Sequence, residues 1–237
     1  MSSIAENYSS IRQQIQLAAQ NAGRDEASVA LLAVSKTRSA HEIRDLYQLG
    51  QRQFGENYIQ EALEKISVLS DLPLCWHFIG PIQSNKSRAI AEQFDWVHSV
   101  DRFKIAKRLS EQRPTHLPAL NICMQVNISR EASKSGCLPE AAEALLNQIS
   151  ELPHIVIRGL MAIPAATDNI AEQRHALASM KQLFSKLKTT HPSLDTLSMG
   201  MSNDMEIAIQ EGATMVRIGT ALFGPRNPKP TSQSSGI

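Results

Sequence analysis

Lys36 closes the apolar run Val29-Ala30-Leu31-Leu32-Ala33-Val34-Ser35-Lys36. A strand of that composition is buried, so a lysine at its end must have its charge paired, carried out to water, or removed. Desolvation lowers a lysine pKa, and the neutral amine forms imines with aldehydes. Two readings stand side by side: an ammonium reaching solvent from a strand end, or a covalent anchor for a carbonyl compound. Further residues bear on the choice. Ser198-Met199-Gly200-Met201-Ser202 ends another apolar segment. Gly200 frees the backbone there, and Ser202 is placed to cap a helix beginning near Asn203. Gly219-Thr220 offers a close backbone approach and a hydroxyl. Amides at helix starts attract phosphate. A plain N-cap is the competing reading of Ser202, and Asp204 and Glu206 in the same turn fit it better. Arg217 stands between Val216 and Ile218, so strand alternation turns it to the opposite face. A guanidinium keeps its charge and needs an acceptor there, either an internal carboxylate or a ligand atom.

His77 lies in an apolar strand and reads as a satisfied core histidine rather than a catalytic base. The remaining histidines (His41, His98, His116, His154, His175 and His191) form no metal-ligand spacing, so no metal site is expected. Met199, Met201, Met205 and Met215 read as packing.

The elements that must position these residues alternate regularly. Short apolar runs at 29–35, 52–54, 75–79, 96–100, 120–127, 155–162, 195–199 and 215–219 give eight expected strands. Segments at 40–49, 56–69, 84–93, 102–112, 139–151, 170–189 and 203–211 have helical periodicity. Ile4, Tyr8, Ile11 and Ile15 mark an additional amphipathic helix at the start. Strand–helix alternation implies right-handed βαβ units and a parallel sheet. The expected fold class is α/β: a single (β/α)8 barrel of the TIM type with an extra N-terminal helix, over residues 1–226. A doubly wound open sheet is the alternative. In such a barrel the chemistry gathers at the C-terminal ends of the strands, with phosphate commonly held after strands seven and eight. Lys36, Ser202, Gly219 and Thr220 occupy those ends. The last stretch, 227–237, is polar and rich in serine and proline, and is expected to be disordered.

Composition excludes several classes. The 237 residues are 42% hydrophobic and 20% charged, with a formal net charge of +1, so no strong field draws the protein to nucleic acid or acidic lipid. Three cysteines without a CxxC argue against a disulfide framework or structural zinc and fit a reducing compartment. No signal-like start and no membrane-length apolar run is found, so a cytoplasmic protein is expected. No large apolar stripe remains once the barrel is built, and a monomer is expected.

Taken together, Ala33-Val34-Ser35-Lys36-Thr37, Phe54-Gly55-Glu56-Asn57-Tyr58, Trp76 to Lys86, Gly159-Leu160-Met161, Ser198 to Ser202 and Val216-Arg217-Ile218-Gly219 resemble the pyridoxal phosphate homeostasis protein family over residues 4–226. That family is the stand-alone relative of the alanine racemase N-terminal barrel. The resemblance implies that Lys36 holds pyridoxal 5'-phosphate as a covalent aldimine. It implies that Ser202, Gly219 and Thr220 bind the phosphate, that Arg217 faces the pyridine nitrogen, and that Asn57, Met161 and Ser198 line the pocket. It implies no catalytic residue, and apo-enzymes as transient partners. Arg38 departs from the lysine common in close relatives. Ser133-Lys134-Ser135-Gly136 matches a loop of the family, with Lys134 as a place for cofactor handover.

The residues agree with the resemblance and limit it. An acid opposite the pyridine nitrogen would keep that atom protonated and strengthen the ring as an electron sink, whereas a permanent cation such as Arg217 opposes the proton. The sequence also shows no second domain to bring the second base a racemase needs. A cofactor carrier is the leading reading. An amino-acid racemase and a cofactor-free Schiff-base aldolase are the alternatives.

Overall fold

A computed structural model describes residues 3–225; the tail expected to be disordered lies outside the described residues. Eight parallel strands close into a barrel in sequence order: β1 (Ala30–Val34), β2 (Gln53–Glu56), β3 (Cys75–Phe78), β4 (Trp96–Val100), β5 (Leu120–Gln125), β6 (Ile155–Met161), β7 (Thr196–Ser198) and β8 (Met215–Ile218). The β1–β8 seam is in register from Ala30↔Met215 to Ala33↔Ile218. The α/β barrel is therefore the observed architecture, and the open sheet is not.

Outside the strands lie α1 (Ile4–Asn21), α2 (Ala40–Gln48), α3 (Ile59–Val68), α4 (Ser87–Gln93), α5 (Phe103–Gln112), α6 (Ala142–Ser150), α7 (Ile170–Thr190), α8 (Met205–Gln210) and α9 (Thr220–Phe223). Two helices start at reciprocal capping boxes, Ser3 with Glu6 on α1 and Ser39 with Glu42 on α2, which satisfy orphan amides at each start. The additional helix α1 buries Ile11, Ile15, Ala18 and Ala19 and packs against α8 and α9, so it supports the elements that follow β7 and β8.

Several boundaries differ from the sequence expectation, and those near the strand ends of β2, β7 and β8 have local reasons. β2 runs on to Glu56, whose polar side chain finds partners described below, and α3 starts only at Ile59. The short helix α9 follows β8 directly; four residues are too few to leave a periodic trace. Ser202 does not cap α8. Asp204 holds the cap position, and its carboxylate accepts the Met201 N–H at 2.6 Å, closing a turn that delays the helix to Met205.

Candidate functional site

The residues singled out by sequence come from one arc of the barrel, at the ends of β6, β7, β8, β1 and β2, which are successive neighbours. Met161 is the buried last residue of β6 and pairs in register with Ser198, the last of β7. Arg217 lies within β8, with Gly219 and Thr220 immediately after it. Lys36 follows β1 and is half-buried. Asn57 follows β2; its side-chain Oδ1 is buried and has no hydrogen-bond partner.

The turn carrying Lys36 is held on both sides by one charged cluster. Glu56 Oε1 accepts the Ser35 hydroxyl at 2.6 Å and the Lys65 ammonium at 2.7 Å. Lys65, from α3, also donates to the Ser35 carbonyl at 2.7 Å and to Glu61 at 2.5 Å. Glu61 in turn accepts the Thr37 N–H at 2.5 Å. Thr37 has φ +64°, the left-handed region that costs a β-branched residue energy, and the Glu61 bond helps hold it there. Both chain neighbours of Lys36 are thus fixed. Burial pushes the Glu56 carboxyl up from its ordinary value, and the neighbouring Lys65 opposes that shift.

The turns after β7 and β8 are tightly built. Gly200 has φ +94°, and a Cβ there would meet the Ala208 Cβ at 2.6 Å, so only glycine fits. The Gly200 carbonyl accepts the Arg217 N–H at 3.0 Å, joining the two turns. A Cβ on Gly219 would come within 3.3 Å of the Val34 carbonyl, so this backbone lies against the end of β1, beside the Lys36 turn. Ser202 and Thr220 are exposed at this rim. Arg38 does not stand in for a second amine. Its guanidinium donates to the carbonyls of Phe223, Gly224 and Pro225 and lies 5.5 Å from the Phe223 ring centroid, fastening the Lys36 turn to the end of α9.

Inside the barrel, Arg217 is buried. Its Nη1 donates to Ser198 Oγ at 3.0 Å and its Nη2 to the Ala162 carbonyl at 2.9 Å. Neither partner is a carboxylate, so the internal ion pair considered from sequence is not the arrangement. Burial draws the guanidinium down to about 10, still a cation at neutral pH. Ser198 Oγ is also 3.0 Å from His98 Nδ1, His98 Nε2 is 2.9 Å from His77 Nδ1, and His77 Nε2 is 3.3 Å from Cys75 Sγ. β4 and β7 are not neighbours, so this chain crosses the barrel interior. Burial lowers His77 to about 3; burial, His77 and Arg217 together lower His98, so both rings are neutral. His77 is a satisfied core histidine, as its strand context suggests.

Sequence reasoning gave no role to Glu56, Lys65 or His98. A signal existed for His98, which shares its strand face with Trp96 by period two, inside an apolar run. For Lys65 the signal was Glu61 four residues before it on a helix. The loop around Lys134 folds onto the end of β5: Gln125 Nε2 donates to the Ser135 carbonyl, and Asn127 Nδ2 to the carbonyls of Glu131 and Lys134. Lys134 shares a cleft of about 360 Å³ with Ile163, Thr167, Met201 and Asp204, which brings it to the Ser202 loop. Among the described residues no group of three or more His, Cys, Asp or Glu could hold a metal, and no helix is long and apolar enough to cross a membrane.

Comparison with known proteins places this geometry. The sequence model of the alanine racemase N-terminal domain matches residues 7–227. The pyridoxal phosphate homeostasis protein of Pseudomonas aeruginosa is 61% identical, covering 96% of this chain and 97% of its own. PipY of Synechococcus elongatus PCC7942, solved with PLP bound, is 40% identical with a TM-score of 0.82, covering 94% of this chain and all of that one. Alanine racemase of Corynebacterium glutamicum shares the fold at 17% identity, TM-score 0.67, covering 94% of this chain and 63% of that one. With a barrel, a lysine turn and paired glycine turns in the expected places, the chain belongs to the pyridoxal phosphate homeostasis protein family.

Proposed function

We propose that this protein binds pyridoxal 5'-phosphate at the barrel mouth and serves the cytoplasmic homeostasis of that cofactor, holding it and supplying it to apo-enzymes. The observation that carries the reading is the juxtaposition of the Lys36 turn with the Gly219–Thr220 turn across the β1–β8 seam, with Arg217 buried beneath. In this reading Lys36 carries the aldehyde carbon as a covalent imine. Ser202, Gly219 and Thr220 receive the phosphate, Arg217 faces the ring nitrogen, and Asn57, Met161 and Ser198 line the pocket. The donor set suits that group: an amine, a guanidinium, two exposed hydroxyls and the backbone of two glycine turns match the chemistry of an anionic aldehyde. The unsatisfied Oδ1 of Asn57 is a buried acceptor that a ligand donor would complete. The name of the Pseudomonas relative and the cofactor bound to PipY support the same assignment.

Bound there, pyridoxal phosphate supplies an electron-withdrawing ring to the amine it is joined to. The residues around it hold rather than drive. Arg217 donates and cannot accept, and its charge keeps a proton off any nitrogen it faces. The backbone on either side of Lys36 is held through Ser35 and Thr37.

Borohydride reduction of the loaded protein, followed by peptide mass analysis, should place the pyridoxyl group on Lys36, with the visible imine band lost in Lys36→Ala. Label found mainly on another lysine would remove the site assignment. Incubation with L- or D-alanine in deuterated water should give little α-proton exchange by NMR. Exchange at an enzyme-like rate that disappears in Lys36→Ala would replace the carrier with a racemase-class enzyme.

A further inference from the structure

We propose that Arg217 sets every proton position in the ladder Ser198–His98–His77–Cys75, and that Ser198, His98 and His77 are positioning residues that lock its guanidinium. A guanidinium has five N–H groups and no acceptor. Ser198 Oγ must therefore accept from Arg217 Nη1, 3.0 Å away. The single hydroxyl hydrogen is then directed to the other neighbour, His98 Nδ1, also 3.0 Å away. An accepting Nδ1 on a neutral ring puts the His98 proton on Nε2, which faces His77 Nδ1 at 2.9 Å. His77 Nδ1 accepts in turn, so its proton sits on Nε2 and points to Cys75 Sγ at 3.3 Å. Both tautomers follow from the chemistry of one end of the ladder.

The surroundings favour the same state. The His77 ring stacks on Trp96 at 5.4 Å and 10°, which fixes its plane. The charged and titratable groups that act on the ladder and its guanidinium include Arg217 on His98, Asp95 on Cys75, and Asp204 and Cys123 on Arg217, while Asp195 and Arg158 act on Cys123. Asp195 is engaged by Arg158, Asp95 accepts the Trp76 N–H, and Asp204 accepts the Met201 N–H. Among the described residues no carboxylate is hydrogen-bonded to either imidazole to hold it as a cation. A second proton on His98 would put an N–H on Nδ1 and leave the buried Ser198 hydrogen without its acceptor.

Two consequences follow. Ser198 has its hydrogen committed, so it serves the pocket through Arg217 and not as a donor to a ligand. The guanidinium is held at both ends, by Ser198 and by the Ala162 carbonyl, so its plane is fixed before anything binds.

The first test needs no cofactor and is independent of the proposed function. Long-range proton–nitrogen correlation spectra of the 15N-labelled protein should show His77 and His98 neutral, with the proton on Nε2, and unchanged across about pH 5–8. Ser198→Ala should convert His98 to a mixture of tautomers, and Ser198→Thr should restore the single form. A proton on Nδ1 of either ring in the wild type, titration of either ring in that range, or an unaltered His98 in Ser198→Ala would overturn the ladder. If Ser198→Ala fails to fold, the wild-type tautomers alone decide. The second test rests on the pyridoxal phosphate reading. Ser198→Ala and His98→Gln should release pyridoxal phosphate about tenfold faster, equivalent to ~1.4 kcal/mol, with borohydride label still on Lys36. Unchanged release would remove the positioning role, whereas a wild type that binds no cofactor would fail the functional reading and leave the ladder standing.

Discussion

The rim of the barrel and its interior each bury a cation, Lys65 and Arg217, and satisfy it in opposite ways. Lys65 lies between the barrel and α3 with two carboxylates, Glu56 and Glu61, so its charge is cancelled where it stands. Arg217 lies inside the barrel among a hydroxyl, a carbonyl and a ladder of neutral rings, so its charge is supported but not cancelled. The first arrangement sets shape: it pins Ser35 and Thr37 on either side of Lys36. The second sets field: it leaves a net positive charge under the pocket. The proposed holding of an anionic aldehyde would draw on both.

Removing one partner from the rim cluster tests the comparison most severely. Lys65→Met should leave Glu56 buried and unpaired, with a loss of ~3–5 kcal/mol in urea unfolding. The double variant Lys65→Met/Glu56→Gln should recover much of that loss. A single-variant cost below about 1 kcal/mol, the range of an exposed pair, would mean the cluster is solvated.

The interior should respond to acid instead. An unfolded histidine takes up a proton below about pH 6.5, while the folded His77 resists until about pH 3, and folded His98 is also depressed. Their contribution is therefore complete above 6.5 and lost as pH falls, by ~1.4 kcal/mol per pH unit for each ring. Glu56 acts in the other sense, because a raised carboxyl favours the folded state as pH drops. Urea midpoints at about pH 7.5 and 5.5 should show the loss, and His77→Gln should roughly halve the slope. A slope left intact by that substitution would assign the acid sensitivity elsewhere.

The rim hydroxyls should affect binding alone. Ser202→Ala and Thr220→Val should each weaken retention of pyridoxal phosphate by ~1.5–3 kcal/mol, the worth of a hydrogen bond to a charged group, with unfolding unchanged. Retention of unphosphorylated pyridoxal should not change in either variant. Equal affinity of the wild type for both forms of the vitamin would contradict a phosphate site at these turns.

The barrel was legible because each strand is a discrete apolar run and each helix has its own stripe. Even β2, short and polar as Gln53–Glu56, was found through its place in the alternation. The placement of the singled-out residues at successive strand ends was legible for the same reason, since strand ends can be counted. What sequence could not give were the partners. Glu56 meets Ser35 from β1 and Lys65 from α3, and His98 meets Ser198 one hundred positions away; such pairs exist only after the barrel curves. The plain-cap reading of Ser202 does not hold because the helix begins only at Met205, after Asp204 closes a turn on the Met201 N–H.

The seam between β1 and β8 joins Ala30 to Met215, near the two ends of the chain. Closing it costs the loop entropy of nearly the whole polypeptide, so it is among the slowest contacts to form. Lys36 stands on one side of that seam and Gly219–Thr220 on the other, with Arg38 fastening the two across it. A nascent or partly opened chain therefore has two half-sites and no site. In the proposed reading, cofactor bound across the seam would hold the first and last strands together by mass action, so the loaded protein should be harder to unfold than the empty one.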